Sequence, residues 1–258
     1  MLNTTVTSLA IVTALALLLS TPSLAEDQDA DLPAVQSEGR PDADAPAGNL
    51  KRLSDEHEIW IDPKRKAVVI GGEVCLREGQ LEMFACLKGT KEHESVVALR
   101  TEAYLMHAAL LAVGAKAGNP VRFDPEYEPA AGTEIDVIVL WKDKDGKKHS
   151  TRAQQWVRHV KSGKPMPHAW VFAGSGFWVD EKTKERHYQA EGGDVICVSN
   201  FSSAMLDLPI SSSQANADLL FDAFTEHIPP RGTKVRVVLV PHAAKPKAAN
   251  GEPATPEP

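Results

Sequence analysis

Gly89-Thr90-Lys91-Glu92-His93-Glu94-Ser95 is the densest group of reactive side chains in this chain of 258 residues. Lys91 offers a cation, Glu92 and Glu94 offer carboxylates, and His93 offers an imidazole that titrates near neutral pH. Thr90 and Ser95 add hydroxyls on either side. The run falls in a break between two β-rich stretches, where exposed backbone lets a site form. Lys91, Glu92, His93 and Glu94 are therefore the ligand-binding candidates. His93 is the candidate metal ligand or proton carrier, with Glu92 or Glu94 as its orienting group or base. The same residues also read as caps and surface ion pairs, each worth about 0–1 kcal/mol. His93-Glu94 does not open a zinc H-E-x-x-H motif, because Val97 stands where the second histidine must be. His107, His168 and His187 are the histidines that folding would have to bring there; His107, in an apolar helix, reads better as a hydrogen-bonded core residue.

Three cysteines allow at most one disulfide. If Leu76 pairs with Leu81 in a hairpin, Cys75 and Cys86 lie roughly 13 Å apart along the strand, too far for a bridge. Cys197 with Cys75 or with Cys86 stays open, beside the alternative of three buried thiols. No C-x-x-C, Walker loop, G-x-G-x-x-G or EF-hand spacing occurs, and no cofactor is expected. Ser175 lacks the outer glycines of a G-x-S-x-G elbow. Trp141, Trp156, Trp170 and Trp178 read as core or sheet anchors rather than a sugar platform. Asn200-Phe201-Ser202 fits the glycan acceptor pattern.

The elements that must position these residues lie between two unlike ends. Residues 1–25 carry no charged side chain, run apolar from Leu9 to Leu19, and place Ser23 and Ala25 before Glu26. This is the layout of a cleaved secretory signal, and the expectation is export to the periplasm or outside the cell after processing at Ala25. Residues 26–50 hold seven acids against Arg40, a local charge of −6, with three prolines. They read as a disordered acidic linker, and residues 241–258, with five prolines, as a disordered tail. The whole-chain charge of −7 thus belongs almost entirely to the linker. The folded body, residues 51–240, is close to neutral, which argues against a nucleic-acid partner.

Within the body, Ala67–Leu76 and Leu81–Leu87 read as a hairpin, Glu94–Leu99 as a strand and Thr101 as the N-cap of a helix that stops at Gly114. Ile135–Trp141 follows as a strand. Ala169–Phe172 and Gly176–Val179, then His187–Ala190 and Asp194–Ser199, read as strands, a second helix spans about 214–227, and Lys234–Val240 is the last strand. Gly132-Thr133 and Gly232-Thr233 each open an alternating run, so residues 66–142 and 168–240 form two possible related halves of hairpin, strand, helix and strand. The expected fold class is α+β, with a mostly antiparallel sheet and two main helices.

Gly72-Glu73-Val74-Cys75-Leu76, Leu81-Glu82, Ala85-Cys86 and Gly89 to Val96 together resemble the YdjY-type domain family. His107-Ala108-Ala109-Leu110-Leu111, Trp170 to Ser175 and Gly193-Asp194-Val195-Ile196 agree with it. The resemblance implies an exported domain in which Lys91, Glu92, His93 and Glu94 belong to the signature, and it brings no catalytic residue with it. The ferredoxin-type clusters of some relatives are missing, so electron transfer does not carry over. The expected function is a non-catalytic binding or envelope-assembly module with a protein or small-molecule partner. The alternative is a metal-binding protein or enzyme centred on His93. No transmembrane helix is expected after processing.

Overall fold

Val68 and Ile70, Val137 and Val139, and Val235, Val237 and Leu239 all turn into one core, while Val69, Ile138 and Val238 turn to the other face. Strict alternation of apolar side chains on a pleated backbone produces two buried faces in this way. The computed structural model describes residues 50–212 and 219–242; the signal, nearly all of the acidic linker and most of the tail lie outside the described residues.

Eight strands close on themselves. In chain order they are β1 (Ala67–Val74), β2 (Met83–Leu87), β3 (Ser95–Leu99), β4 (Glu134–Lys142), β5 (Trp170–Phe172), β6 (Ile196–Cys197), β7 (Leu206–Asp207) and β8 (Lys234–Pro241). Around the ring the order is β1-β8-β4-β5-β7-β6-β2-β3, and β3 pairs back onto β1. The β6–β7 and β2–β3 pairs are parallel; the others are antiparallel. Closure removes the free sheet edges that would otherwise invite pairing with another chain. Ile59–Asp62 adds to β1 and Lys148–Arg152 to β4. Trp156, Trp170, Phe84, Phe172 and Phe221 are fully buried and fill the main core.

The α+β expectation with two main helices is overturned: the fold is a β-barrel with one α-helix, Ala103–Ala112, among the described residues. Part of the expected second helix, residues 214–218, lies outside the described residues. Its remainder contains the strand Phe221–Ala223, paired antiparallel with Val157–His159. Phe221 and Ala223 are buried while Asp222 turns outward to Arg158 at 2.7 Å, a period of two rather than 3.6. Without that helix, the twofold order of hairpin, strand, helix and strand does not hold. The Gly-Thr-opened strands β4 and β8 are direct neighbours, but β8 continues to β1 and β4 to β5.

The expected hairpin of Ala67–Leu76 with Leu81–Leu87 is also absent. β3 lies between β1 and β2, pairing antiparallel with the first and parallel with the second. The helix is less buried than its apolar sequence predicts: Ala103, Met106, Ala109 and Leu110 face the core, while Tyr104 and Leu111 are exposed. It ends as expected at Gly114, whose φ is +97°. Gly114 N–H donates to Leu111 O and Ala115 N–H to Leu110 O, both at 3.0 Å, the bond pair of a Schellman ending. Its start differs from expectation. Thr101 Oγ1 is buried without a partner, and the Glu191 carboxylate instead accepts from Ala103 N (3.1 Å) and Tyr104 N (2.8 Å). No helix among the described residues is long and apolar enough to cross a membrane.

Candidate functional site

Lys91 to Glu94 form part of the return between two parallel strands. Met83 stands opposite Ser95 and Leu87 opposite Leu99, so the chain leaving β2 must travel back before β3 can begin. Four residues of strand rise about 13 Å. Seven residues, Lys88 to Glu94, cover the distance, against a maximum reach of about 23 Å. Thr90 N–H donates to Leu87 O (3.2 Å), Glu92–Glu94 make a 3-10 turn, and Glu82 N–H donates to Glu94 O (3.3 Å). The Glu92 carboxylate accepts from Gly89 N–H at 2.8 Å and so closes the turn on itself.

Lys91 is the centre of the charge cluster. Its Nζ lies 2.7 Å from Asp194 Oδ1, 3.8 Å from Glu94 Oε1, and 5.0 Å from the Phe201 ring centre. Burial works against the ammonium, but the Asp194 carboxylate overrides it and raises the Lys91 pKa. Asp194 also accepts from the Ser203 hydroxyl. Burial, and then the negative charge of Glu94, push the Glu82 carboxyl upward. Behind the cluster, burial drives Asp207 up to about 7. Its Oδ1 accepts from Leu208 N–H (2.7 Å) and Asn200 Nδ2 (3.1 Å), whereas Oδ2 has no partner and is the place for a proton. Gly193, at φ +111°, lets this backbone pass close: a Cβ there would meet Thr90 Oγ1 at 2.5 Å.

Of the four candidates, Lys91 and Glu94 enter this cluster together, Glu92 caps its own turn, and His93 points away, with 77% of its side chain exposed. Its Nε2 is 3.7 Å from Glu94, beyond hydrogen-bonding distance. The other histidines are engaged elsewhere. His107 Nδ1 meets the Tyr188 hydroxyl at 2.8 Å, Tyr188 donates to Gly174 O, and burial lowers the His107 pKa. His187 stacks on Trp178 at 4.4 Å, and the backbone oxygen of His168 accepts from Gln154. Among the described residues no three His, Cys, Asp or Glu side chains gather as a metal-holding group.

Glu82, Asp194, Ser203 and Asp207 were not singled out as site residues from the sequence. Asp194 and Glu82 did stand in the fragments that carry the family resemblance, and that was the available signal. Asn200 in the glycan pattern is fully buried, its amide held by Asp207 and Leu208. All three cysteines are free thiols. The rung count separating Cys75 from Cys86 does not apply, because it assumed the absent hairpin; the Cys75 thiol donates to Ser95 O at 3.0 Å.

A second feature is a groove of about 910 Å³ lined by Trp60, Gly72, Leu140, Trp141 and Val235 among others. Trp60 packs beside Val69, Ile138 and Val238, whereas Trp141 and Val235 pack on the main core. The groove's lining holds five cations (Arg100, Lys142, Lys144, Lys234, Arg236) and two acids (Glu58, Asp143). Arg236 sits over the Trp60 ring at 5.4 Å, and Trp141 stacks on His149 at 5.1 Å. At its rim Glu73 gathers Lys234, Lys88 (3.0 Å) and Arg100 (2.8 Å). The hydrogen bonds from Lys234 and then Lys88 hold its carboxyl down at about 2. The sequence offered no motif for this groove, because its walls come from strands far apart in the chain.

The family model described as the YdjY domain matches residues 59–240. The chain belongs to the YdjY domain family. The match begins at the strand Ile59–Asp62 and stops one residue short of the end of β8, so the YdjY domain coincides with the barrel and its added strands. Both the Lys91 cluster and the groove are therefore parts of the YdjY domain. No curated protein and no solved structure matches the chain.

Proposed function

We propose that this YdjY domain is an exported, non-catalytic binding module of the cell envelope, and that the groove at Trp60 holds its ligand. The observation that carries the reading is the pairing of an aromatic ring, Trp60, with a surplus of cations in one concavity. Small-molecule sites combine a mostly apolar lining with a few charged groups that orient the ligand. Such a lining favours a small anionic ligand with an apolar ring face, packed on Trp60 and met by Lys234 and Arg100. Export rests on the apolar, uncharged start of the sequence and its Ser23-Leu24-Ala25 processing pattern. The Lys91 cluster fits a structural role in this reading: its acids face one another and one shared cation rather than an open cleft.

Tryptophan fluorescence of the full chain, titrated with a uronic-acid disaccharide, an aromatic carboxylate and the neutral counterpart of each, tests the proposal. Saturable quenching by the acidic compounds, weakened by salt, by Trp60→Phe and by Lys234→Gln, is the expected result. Quenching that is equal for neutral and acidic compounds, or that survives both substitutions, would remove the groove from the function.

A further inference from the structure

Outside the barrel, a short sheet keeps an open edge. Among the described residues, Phe177–Val179 pairs antiparallel with Arg186–Tyr188 and with no other strand. Just before it, Ser175 N–H donates to Ala204 O of the barrel side at 3.0 Å. Asp180 N–H donates to Glu185 O and Gln189 N–H to Gly176 O, both at 2.9 Å, which fixes the alternation between them. Trp178 and His187 are therefore a hydrogen-bonded pair, and the N–H and C=O groups of Phe177 and Val179 turn to the free edge. All three side chains on this edge are large, apolar and about half exposed: Phe177 55%, Trp178 48% and Val179 52%. The other exposed large apolar side chains among the described residues stand singly along the chain. Edge strands are ordinarily guarded by a lysine, a proline or a bulge, and Phe177-Trp178-Val179 has none of these. The rings are already held in place: Trp178 stacks on His187 at 4.4 Å, and Phe177 packs on Tyr188 at 5.2 Å and under Arg186 at 4.5 Å.

We propose that this edge is a self-association surface, on which Phe177–Val179 pairs antiparallel with the same strand of a second copy about a twofold axis at Trp178. Such an axis sets Phe177 opposite the partner's Val179 and Val179 opposite the partner's Phe177. Their outward N–H and C=O groups then meet as hydrogen-bonded pairs, with the two Trp178 residues as the closer, non-hydrogen-bonded pair between them. An axis at Phe177 would call on Ser175 N–H, which Ala204 O already holds. An axis at Val179 would set Phe177 against the charged turn at Glu181. With the axis at Trp178, an aromatic ring faces a β-branched side chain on one face of the sheet and tryptophan faces tryptophan on the other, both favourable cross-strand pairs. Next along, Asp180 falls opposite the partner's Gly176, so no like charges meet. The exposed parts of the three side chains amount to roughly 300 Å² per copy at the usual side-chain areas, against about 800 Å² a side in a stable interface. The dimer is accordingly a concentration-dependent one, in the micromolar to millimolar range. The inference is independent of the groove.

Sedimentation equilibrium of the full chain over a concentration series tests the proposal, and a reversible monomer–dimer equilibrium is the expected result. Val179→Pro should weaken it about tenfold or more, because proline removes an N–H that points to the free edge and spares the hairpin's own ladder. Trp178→Lys, which puts a charge on the axis, should do the same without altering the backbone. Trp178→Cys should cross-link to its own copy on mild oxidation, since the paired Cα atoms would lie about 4.5 Å apart, within reach of a disulfide. The parent, whose three cysteines are buried, should not cross-link. A chain that stays monomeric into the millimolar range overturns the proposal, and so does a dimer that survives Val179→Pro and Trp178→Lys. A monomer that instead pellets with phosphatidylglycerol vesicles, and no longer does so in Trp178→Lys, assigns the edge to a bilayer and overturns it as well. Where Val179→Pro does not fold, Trp178→Lys and the cross-link still decide.

Discussion

Lys91 Nζ lies 2.7 Å from Asp194 Oδ1, and this ion pair ties the return between β2 and β3 to the segment that enters β6. The two strands it joins, β2 and β6, are neighbours in the barrel, so the pair fastens one seam of the ring from outside. Its removal leaves Glu82, Glu94 and Asp194 facing one another without their shared cation.

Lys91→Met should therefore cost about 2 kcal/mol, below the roughly 3–5 kcal/mol for breaking a fully buried pair, because Lys91 keeps 29% of its side chain exposed. Urea unfolding of both variants checks this. His93→Ala, at a side chain 77% exposed, should stay within about 0.5 kcal/mol of the parent. The reverse ranking would move the centre of the cluster from Lys91 to His93.

Gly193→Ala should destabilise by about 2 kcal/mol, since an L side chain at positive φ is strained. The new Cβ would also sit 3.2 Å from Lys91 Cγ and closer still to Thr90. Thermal unfolding, with Gly192→Ala as the control, measures it; no atom lies within 4 Å of a Cβ at Gly192.

Asp207 sets a slope in the pH dependence of stability. Its folded-state pKa, about 7, is above the ordinary carboxylate value near 3.9, so the folded chain binds this proton more tightly than the unfolded one. Its contribution is complete below about pH 4 and is lost as the pH rises through about 7. Glu73, held at about 2, has the opposite sign: its contribution is present above the ordinary carboxylate range and is lost as the pH falls toward that value. Unfolding free energies measured across this range should decline less from pH 4 to 7 in Asp207→Asn than in the parent. Glu73→Gln should weaken the parent at neutral pH and lose its effect in strong acid.

Glu191→Ala should cost about 1 kcal/mol, the usual loss when a cap and a favourable charge leave a helix N-terminus. Thr101→Ala should cost less, because the Thr101 hydroxyl is buried without a partner. Hydrogen exchange at Ala103 and Tyr104, whose amides Glu191 accepts, reports on the same contact directly.

β1, β4 and β8 could be read from the chain because alternation of Val, Ile and Leu is decided between residues two positions apart. The Gly114 helix stop and the hairpin of Phe177–Val179 with Arg186–Tyr188 are local in the same sense. Leu219 to Phe224 fits either period, and only pairing with Val157–His159 made its centre a strand. The order of strands around the ring, the parallel course of β2 and β3, the cap that Glu191 supplies from far along the chain and the Asp194 partner of Lys91 all came from tertiary structure. Side-chain pattern acts over a few residues and determines which segments are extended and which face is apolar. Closure of the barrel acts over the whole domain, and it alone chooses which strand, charge or thiol each segment finds beside it.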